Sequence, residues 1–540
     1  MGTGTGDRDA AVTGTLEARL HCGGRHLCLP VAAASLPRVA DWTSHHVASR
    51  FNKHMIFNAR KSGHRSLVLN FIAMTAMVGI NSTAFSTESQ TRQATGVKVG
   101  EVTDTSAIVW TRLTAASVRN NEGIVIKGKV DPNNPIEVTV PLTELEGACP
   151  GAPGRVRVRY STRENLSWSH TTSWADVTAE TDFMHQFHLG GLKPDTVYHF
   201  AVETTGPGGS PKHGALRGRF QTALRPRQTA DFTFCVVTCF GYRNMDHEDG
   251  FNIYPAMAKL HPRFVAFTGD NVYYDGQEPS VKNAAMARYH WERMYSMPRH
   301  IEFLRHVATY WEKDDHDTVC NDCWPGMKWN DLTYPEGQRI FREQVPMGDK
   351  IYRTFRWGRD LQIWLTDGRD FRSPNTMPDG PDKTIWGQEQ KAWLKRTLKE
   401  SDATWKVLIS PTPIVGPDAR SKKDNHSNQA FRHEGDEIRR WFKANVPDNF
   451  FVVNGDRHWQ YHSVYPPTGL NEFSVGPASD PHAGGSPGFA KEFHRFHRVK
   501  GGFLSVTLSR DSERSTIRFQ HRDVLGNVVY EWTKQAAVGK

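Results

Sequence analysis

The sequence predicts an all-β sandwich followed by a larger, layered α/β domain. Between residues 96 and 222, short runs alternate apolar and polar residues and are broken by Gly, Pro, Asn and Asp, as in β-sandwiches. After residue 231, the strand-like runs are continuously apolar and alternate with helix-like stretches, as in sheets that helices cover. A chain of 540 residues is long enough to bury two such cores.

Composition and charge are those of an ordinary globular protein. Hydrophobic residues make up 38% and charged residues 23% of the chain, and 16 tryptophans exclude a largely disordered protein. The net charge of +9 comes from scattered basic residues without a long Lys or Arg run, so no specific nucleic-acid partner is indicated. Nothing in the sequence determines the oligomeric state.

The N-terminal region contains a segment typical of export signals. An apolar run at residues 66–80 follows several basic residues and precedes a stretch of small residues, which predicts a signal peptide at residues 55–86. We therefore expect translation to start at Met55, with residues 1–54 a mis-assigned extension. The run is shorter than a membrane span requires, and an uncleaved anchor or a buried core helix are the alternatives. Cleavage would leave no stable membrane span and would release a periplasmic, cell-surface or extracellular protein.

The other boundaries follow from changes in composition. Residues 87–95 predict a polar linker before the sandwich at 96–222, and a second linker at 223–230 precedes the α/β domain at 231–535. Within the sandwich, Tyr198 stands near the start of a strand, after a loop that contains Pro and Asp. This arrangement resembles the tyrosine corner of fibronectin-type sandwiches, so we expect a fibronectin-like β-sandwich.

Individual elements are predicted from periodicity. The alternating runs predict sandwich strands at residues 96–102, 106–113, 123–130, 136–142, 155–161, 183–189 and 196–205. The apolar runs predict strands at residues 231–239, 263–269, 361–368, 405–413 and 449–456. Helices are predicted at residues 252–260, 284–307, 387–401 and 434–445, and a hairpin turn at 525–527. The aromatic residues of the second helical stretch would form a wall of the binding site or pack in the core; they are Tyr289, Trp291 and Tyr295.

Reactive side chains follow the predicted strands of the α/β domain. Ligands of α/β sheets bind in the crevice outside the carboxyl ends of the strands. Each of these residues alone is more often part of a turn or of the core, but five such strand ends together predict a site. The five ends supply Cys239, then Asp270 with Tyr273, Asp314 with Asp315 and His316, Asp367 with Arg369, and Asp456 with His458.

These residue types predict metal-assisted hydrolysis. Carboxylates favour hard cations such as calcium or magnesium, whereas imidazole, thiolate and phenolate favour a transition metal, so a mixed-metal centre is expected. Asp270, at the tip of a strand, would bridge two cations. Arg369 would hold a phosphoryl group, or would pair with Asp370 at the surface. His316 would stabilise transition-state charge or protonate a leaving oxygen.

The five motifs resemble, in the same order, those of the PhoD-type alkaline phosphatases, a branch of the calcineurin-like metallophosphoesterases. That family has Ser-Cys-Gln, Gly-Asp-Tyr-Ile-Tyr, Trp-(Asn/Asp)-Asp-His-Glu, Leu-Asp-Thr-Arg and Gly-Asp-Val-His. This chain has TCF, GDNVYYDG, KDDHD, TDGRDFR and GDRHWQYH. It departs from the family at Phe240, Asn271 and Asp317, which replace Gln, Tyr and Glu. The resemblance extends from about Gly96 to the C-terminus and implies an αββα metallophosphoesterase domain behind the sandwich.

The resemblance also implies a site for ferric iron and calcium, with other divalent metals as alternatives. The implied iron ligands are Cys239, Asp270, Tyr273 and His458. The implied calcium ligands are Asp270, Asp314 and Asp456, with Asp367 as an additional ligand. The implied catalytic residues are His316 and Arg369, which would contact phosphate, and Asp315 beside them.

Residues and resemblance together predict an exported phosphatase or phosphodiesterase. It would hydrolyse phosphate esters by direct attack of a metal-bound hydroxide. The alternative is a catalytically silent exported protein that binds or adheres through its β-sandwich. The identity of the ester and the preference between monoesters and diesters are left open by the sequence.

Two cysteines follow the third motif. Cys320 and Cys323 fit a short disulfide in an oxidising compartment, or half of a zinc site, but no second pair completes a zinc cage. We expect a disulfide that stiffens the loop behind the catalytic residues.

Overall fold

In the computed structural model, the described part of the chain comprises residues 90–128, 131, 136–167, 169–446 and 448–537. The predicted N-terminal extension and signal peptide lie outside these residues. No helix among the described residues is both long and apolar enough to cross a membrane.

The N-terminal part of the described chain contributes strands to two different sheets. Its eight strands are β1 (Val97–Gly100), β2 (Ala107–Arg112), β3 (Gly154–Ser161), β4 (His170–Thr171), β5 (Ala175–Val177), β6 (Met184–Leu189), β7 (Val197–Thr205) and β8 (Leu216–Gln221). Strands β3, β4, β5, β7 and β8 form one five-stranded sheet. Strands β1, β2 and β6 belong to another sheet, which continues into the α/β region because β1 pairs in parallel with residues 308–309.

Two predicted sandwich strands do not form within the described residues. Residues 123–128 and 136–142 contain no strand, and the side chains of Ile124 and Val125 are 46% and 55% exposed. Other apolar residues of these runs, among them Ile126 and Val138, pack instead against a small cluster around Tyr289. The prediction was wrong here because these runs form a loop whose apolar residues pack on a helix. Among the described residues, no neighbouring strand pairs with them.

The tyrosine corner is confirmed. Tyr198 is the second residue of β7, and its hydroxyl accepts a hydrogen bond of 2.9 Å from the backbone N–H of Lys193. This bond closes the loop before β7 onto the strand, as expected from the sequence.

The α/β region contains fifteen strands and six α-helices among the described residues. The strands are β9 (Phe232–Val237), β10 (Phe264–Thr268), β11 (Ala308–Glu312), β12 (Lys328–Trp329), β13 (Leu332–Thr333), β14 (Arg353–Trp357), β15 (Leu361–Leu365), β16 (Trp405–Ser410), β17 (Phe450–Asn454), β18 (Gln460–Val464), β19 (Asn471–Val475), β20 (His494–Arg498), β21 (Phe503–Arg510), β22 (Arg514–Arg522) and β23 (Val528–Ala537). The helices are α1 (Ile253–Ala258), α2 (Ala284–Tyr295), α3 (Pro298–Leu304), α4 (Tyr334–Gln344), α5 (Gly387–Glu400) and α6 (Arg432–Asn445).

Two large sheets face each other in this region. The nine-stranded sheet has the order β23-β22-β21-β9-β10-β11-β1-β2-β6, and the seven-stranded sheet has the order β14-β15-β16-β17-β19-β18-β20. Residues from both, such as Ala266 of β10 and Val407 of β16, belong to one hydrophobic cluster. Helices α1 to α4 contribute to a second cluster with the other face of β9 to β11, and α5 and α6 to a third with the other face of β15 to β17. Helices therefore cover the outer faces of two sheets, and the predicted α/β class is confirmed.

The second predicted helix is divided in two. Helix α2 ends at Tyr295, and α3 starts with Pro298 in its first turn, where a missing backbone N–H costs nothing. Tyr289, Trp291 and Tyr295 are all buried, and the indole of Trp291 donates a 2.7 Å hydrogen bond to the hydroxyl of Tyr274. These aromatic residues therefore pack in the core and do not form a wall of the site.

The hairpin turn near the C-terminus is also confirmed. Strands β22 and β23 pair antiparallel and are joined by residues 523–527. Gly526 in this turn has a φ of +93°, a conformation that residues with a Cβ rarely adopt.

Candidate metal centre

Five of the predicted site residues occupy equivalent positions, each two residues beyond the end of its strand. They are Cys239 after β9, Asp270 after β10, Asp314 after β11, Asp367 after β15 and Asp456 after β17. The first three strands are parallel neighbours in the nine-stranded sheet, and the last two lie in the seven-stranded sheet that faces it. Their carboxyl ends therefore meet at one edge of the layered domain.

The backbone turns sharply at three of these positions. Cys239, Asp270 and Asp456 have φ values of +56°, +52° and +61°, in the left-handed region that non-glycine residues rarely adopt. A Cβ on Gly269 would lie 2.5 Å from the Cβ of Asp314, so only glycine fits before Asp270. Strained conformations of this kind cost about 1–3 kcal/mol each and concentrate at functional sites.

Four side chains converge in a first cluster. Ligand atoms of Cys239, Asp270 and His458 all lie within 4.8 Å of one another. The hydroxyl of Tyr273 donates a 2.9 Å hydrogen bond to Oδ2 of Asp270 and lies 3.3 Å from Nε2 of His458. The thiol of Cys239 donates to the same Oδ2 atom, at 3.5 Å. The structure thus brings together the thiol, the phenol, the imidazole and the carboxylate for which iron was predicted.

A second cluster shares Asp270 with the first. Carboxylate oxygens of Asp270, Asp314 and Asp456 lie within 4.8 Å of one another. Arg369 donates through Nε to Oδ1 of Asp314, and Arg457 pairs with Asp456. Oδ1 of Asp270 and Oδ2 of Asp314 are buried and have no hydrogen-bond partner among the described residues. Because Asp270 belongs to both clusters, it has the position expected of a bridging carboxylate.

The electrostatics of the two clusters favour a bound cation. Burial raises the pKa of Asp270 and of Asp314 well above the usual range, and neighbouring carboxylates reinforce the effect. Burial raises the pKa of Asp456 to about 6 and that of the Cys239 thiol well above its ordinary value. Buried acids this close together ionise only if positive charge compensates them. The donor set and the two unpartnered carboxylate oxygens therefore fit metal ions.

His316 lies beside the first cluster and has a carboxylate partner. Its ring is 4.5 Å from that of Tyr273, and its Nδ1 is 2.5 Å from Oδ1 of Asp275. Burial opposes protonation of the ring, but the charges of Asp275, Asp315 and Asp270 outweigh it and hold the pKa of His316 well above its ordinary value. Asp275 was not singled out from the sequence, although it is the last aspartate of GDNVYYDG.

Arg369 is completely buried among acids. Its guanidinium contacts Asp314, Asp315 and Asp424, the last two at 3.6 and 3.4 Å. It does not pair with Asp370 at the surface, which was the alternative interpretation. Nη1 of Arg369 has no hydrogen-bond partner among the described residues. Asp424 lies in the loop after β16 and was missed, because no strand-end motif marks it.

Asp315 belongs to a third group of acids, which protein cations largely compensate. Ligand atoms of Asp315, Asp322 and Asp424 lie within 4.8 Å of one another. Arg369 lies against two of them, and Nζ of Lys422 is 2.7 Å from Oδ1 of Asp322. Burial opposes ionisation of Asp315, but the Arg369 guanidinium outweighs it and holds the pKa of Asp315 far below its ordinary value.

Asp367 is not part of any of these groups. Its Oδ1 accepts hydrogen bonds from the backbone N–H groups of Arg369 and Asp370, at 3.1 and 2.6 Å. Its Oδ2 lies 3.2 Å from Nζ of Lys313, which also contacts Asp370 at 2.6 Å. Oδ2 of Asp367 has no hydrogen-bond partner among the described residues, like one oxygen each of Asp270 and Asp314, but here the ammonium of Lys313 lies beside the atom.

The three departures from the family motifs have structural explanations. Asn271 and Asp317 bind each other, since Nδ2 of Asn271 lies 2.6 Å from Oδ2 of Asp317. The other oxygen of Asp317 accepts a 2.7 Å hydrogen bond from the backbone N–H of Asp314. Phe240 is buried against Phe251 and Phe267. Asn271 and Asp317 thus support the backbone of Asp314, and Phe240 belongs to the core.

The loop after His316 is held without a disulfide. Cys320 and Cys323 are both free and buried, so the disulfide predicted from their spacing is wrong. Backbone hydrogen bonds connect the loop to the site instead: Asp322 N–H donates to Asp315 at 2.6 Å, and the N–H of residue 321 donates to Asp275 at 2.7 Å. The side chains of the site therefore fix this loop directly.

Comparison with known proteins identifies the family. A family model described as "PhoD-like phosphatase" matches residues 234–535, and one described as "PhoD-like phosphatase, N-terminal domain" matches residues 80–224. The chain belongs to the PhoD-like phosphatase family. The resemblance of the five motifs is thereby confirmed.

Among curated proteins, this chain is similar to alkaline phosphatase D of Bacillus subtilis (strain 168). The two are 23% identical over 328 residues, which is 52% of this chain and 54% of that protein. The chain thus spans about half the length of the curated relative it matches.

Two solved structures share the fold of this chain. A structure titled "Structure of PhoD" superposes with a TM-score of 0.62 and 16% identity, covering 84% of this chain and 93% of the other. A purple acid phosphatase from yellow lupin (Lupinus luteus) seeds superposes with a TM-score of 0.53 and 12% identity, covering 81% of this chain and 73% of that one. At these identities the likeness shows the fold alone.

Proposed function

We propose that this protein hydrolyses phosphate esters with the help of metal ions. The observation that carries the proposal is the position of Asp270, which three groups of potential metal ligands share. One of its oxygens is buried without a hydrogen-bond partner among the described residues. Membership of the PhoD-like phosphatase family and similarity to an alkaline phosphatase support the same reaction class. The proposed substrate is a phosphate monoester or diester.

The two clusters differ in the metal that their residue types favour. Cys239, Asp270, Tyr273 and His458 would hold ferric iron, because thiolate and phenolate stabilise the oxidised ion. Asp270, Asp314 and Asp456 would hold calcium, which favours carboxylate oxygens. Bound metal ions of this kind lower the pKa of water and neutralise the oxygens of a phosphoryl group. The bridging position of Asp270 between the clusters supports a centre with both ions.

His316 would act on the phosphoryl group as a cation and proton donor. Its Nδ1–H donates to Asp275, and the neighbouring carboxylates keep the ring protonated, so Nε2 also carries a proton. This Nε2–H would stabilise charge on a phosphoryl oxygen or protonate the leaving oxygen. Asp275 would act as a positioning residue that holds the ring orientation and its charge.

Arg369 would bind the phosphoryl group through its free nitrogen. Nε donates to Asp314 and Nη2 lies near Asp424, whereas Nη1 is buried without a hydrogen-bond partner among the described residues. A permanently charged guanidinium with one free N–H edge suits an anionic oxygen. Asp315 would keep Arg369 in place, since its carboxylate lies 3.6 Å from the guanidinium.

We also propose that the protein is exported and that residues 96–222 form the β-sandwich of the family. Export is supported by the basic, apolar and small-residue pattern around residues 60–86. The sandwich is supported by the tyrosine corner, by the five-stranded sheet and by the matched N-terminal family model.

The test is metal analysis together with ester hydrolysis on one purified sample. The wild type should contain iron and calcium and should hydrolyse an aryl phosphate or a bis-aryl phosphate. Asp270→Asn should lose both the metals and the activity, because an amide is a weak bridge between cations. Asp448→Asn, at an exposed position just before β17, is the matched control and should behave as the wild type. Unchanged turnover in Asp270→Asn would refute the proposal.

A further inference from the structure

A short segment after β19 contacts the backbone carbonyl groups of two predicted metal ligands. Residues 478–484 include a 3₁₀ turn, Asp480–His482. The backbone N–H of Gly484 donates a 3.1 Å hydrogen bond to the carbonyl of His458. Nδ1 of His482 lies 3.1 Å from the carbonyl of Cys239, and the N–H of residue 478 donates to that same carbonyl at 3.4 Å. One segment therefore holds the peptides of ligands from both facing sheets.

The ring of His482 also contacts two ligand side chains. Its centroid is 4.3 Å from that of His458, with an angle of 47° between the ring planes. It is 5.1 Å from the ring of Tyr273, in an edge-to-face arrangement. His482 thus touches the phenol and the imidazole of the first cluster by packing, and the cysteine by a hydrogen bond.

The direction of this hydrogen bond follows from its acceptor. A backbone carbonyl only accepts, so Nδ1 of His482 must carry the hydrogen and donate it to Cys239. Nε2 has no hydrogen-bond partner among the described residues, and the residue is partly exposed. Nδ1 of His482 therefore faces the metal ligand Cys239, and Nε2 takes no part in holding the ring.

Cys239 is the ligand that most needs such support. It stands in the left-handed region with φ at +56°, where a side chain with a Cβ is strained. A hydrogen bond to its carbonyl restrains the peptide that follows it and so fixes the direction of its Cα–Cβ bond. Without the His482 bond, only the longer bond of 3.4 Å from residue 478 would hold this carbonyl. Rotation about the N–Cα bond of Cys239 would then relieve strain and move the sulfur away from Oδ2 of Asp270, which is now 3.5 Å from it.

We propose that His482 is a positioning residue of the metal centre. Its Nδ1–H holds the carbonyl of Cys239, and its ring packs between those of Tyr273 and His458, so that thiol, phenol and imidazole converge on one cation. This inference rests on the proposed function. It adds a residue outside the five strand-end motifs, in a turn that no sequence pattern marked.

Three substitutions separate the hydrogen bond from the ring. His482→Asn keeps an N–H donor close to the position of Nδ1, His482→Phe keeps the ring without the donor, and His482→Ala removes both. His188→Asn is the matched control, because His188 is exposed on β6, an edge strand of the nine-stranded sheet. Each variant is assayed for iron content, for iron loss to a chelator, for the visible absorption of ferric thiolate and phenolate, for kcat and KM, and for Tm.

The Phe and Ala variants should release iron about 10–100-fold more readily, as is typical when partners behind metal ligands are removed. Their visible absorption should shift, because the Cys239 and Tyr273 ligands change orientation, and kcat should fall more than KM rises. The Asn variant should keep most of the iron affinity and the wild-type spectrum, as should His188→Asn.

Two results would overturn the proposal. If His482→Phe matches the wild type while His482→Asn does not, ring packing and not the hydrogen bond is what matters. If all three variants keep wild-type iron retention and spectrum in an enzyme that hydrolyses esters, His482 has no positioning role, although the proposed function stands. A wild type with neither iron nor esterase activity refutes the proposed function, and this inference with it. Where His482→Ala fails to fold, the Asn and Phe pair decides.

Discussion

Asp314 and Asp367 stand at equivalent positions, two residues beyond buried strands in the two facing sheets, yet the cations around them are placed differently. One oxygen of Asp314 accepts from Arg369, and the other is buried without a hydrogen-bond partner among the described residues. Asp367 accepts two backbone hydrogen bonds on one oxygen, and its other oxygen lies 3.2 Å from Lys313. A buried oxygen with no protein cation beside it can take a metal ion, whereas one beside a lysine is already compensated.

Lys313 accounts for this difference. It directly precedes Asp314 in the chain, but its ammonium group extends to Asp367 and Asp370, which follow a strand of the other sheet. The four charged groups are all at least largely buried, so each charge must be compensated locally; they are Lys313, Asp314, Asp367 and Asp370. The lysine thus compensates one strand-end aspartate and leaves the aspartate beside it in sequence available to a metal.

The largest effect is expected from Asp314→Ala. Alanine offers no oxygen to a hard cation, whereas asparagine would still offer an amide oxygen that calcium accepts. The loss of metal assistance is worth several kcal/mol, or about 10³-fold in kcat/KM. The measurement is ester hydrolysis with calcium and iron analysis on the same sample. Full calcium content together with wild-type activity would show that the unpartnered oxygen of Asp314 does not bind a metal.

A smaller effect is expected from Asp275→Asn, which removes the partner of His316. The carboxylate raises the pKa of His316, so its removal lowers that pKa, and the ring loses its proton at a lower pH. If His316 acts as the protonated donor, kcat should fall by about 10²-fold, and its decline at alkaline pH should begin at a lower pH. The measurement is the pH profile of kcat for both proteins. An unchanged alkaline limb would contradict the assigned role of His316.

Asp367→Asn is expected to affect stability and not metal content. Oδ1 of the new side chain can still accept the two backbone hydrogen bonds, which leaves its NH₂ group facing Lys313. The pairing with Lys313 is therefore lost, at a cost of about 2 kcal/mol. Iron and calcium should remain at wild-type levels, and the midpoint of denaturant unfolding should fall without a change in its slope. Loss of calcium from a folded Asp367→Asn variant would place Asp367 among the metal ligands and break the contrast with Asp314.

The smallest effect is expected from reducing agents. Because Cys320 and Cys323 are free thiols and the loop is held by backbone hydrogen bonds to Asp315 and Asp275, reduction has no bond to break there. The Tm should be the same with and without a reductant. Activity is not the readout, because a reductant also acts on the proposed ferric ion. A fall in Tm that disappears in the Cys320→Ser variant would show that the disulfide forms after all.

Much of the architecture could be predicted because it depends on local pattern. The apolar runs of the α/β region form strands as expected, and the side chains two residues beyond them converge. Residues 123–128 and 136–142 show the limit, since the same alternation occurs in a loop that packs on a helix. Periodicity reports which side chains are buried but not what buries them.

The functional residues that were missed share one property: no strand end precedes them closely enough to mark them. Asp424 lies in a loop and reaches Arg369, and His482 lies in a 3₁₀ turn and reaches Cys239. The partners in these contacts are separated by 55 and 243 residues along the chain. Asp275 is nearer to a motif, but its role depends on the ring of His316 at the end of another strand.

The sequence by itself determined the order of the strand ends, the thiol, phenol, imidazole and carboxylate groups that follow them, and hence the kinds of metal that suit them. Only the tertiary structure decided which carboxylate oxygens lie without a protein cation beside them. The reason is that compensation of a buried charge depends on distances between side chains from different sheets, such as that from Lys313 to Asp367, and local sequence does not encode those distances.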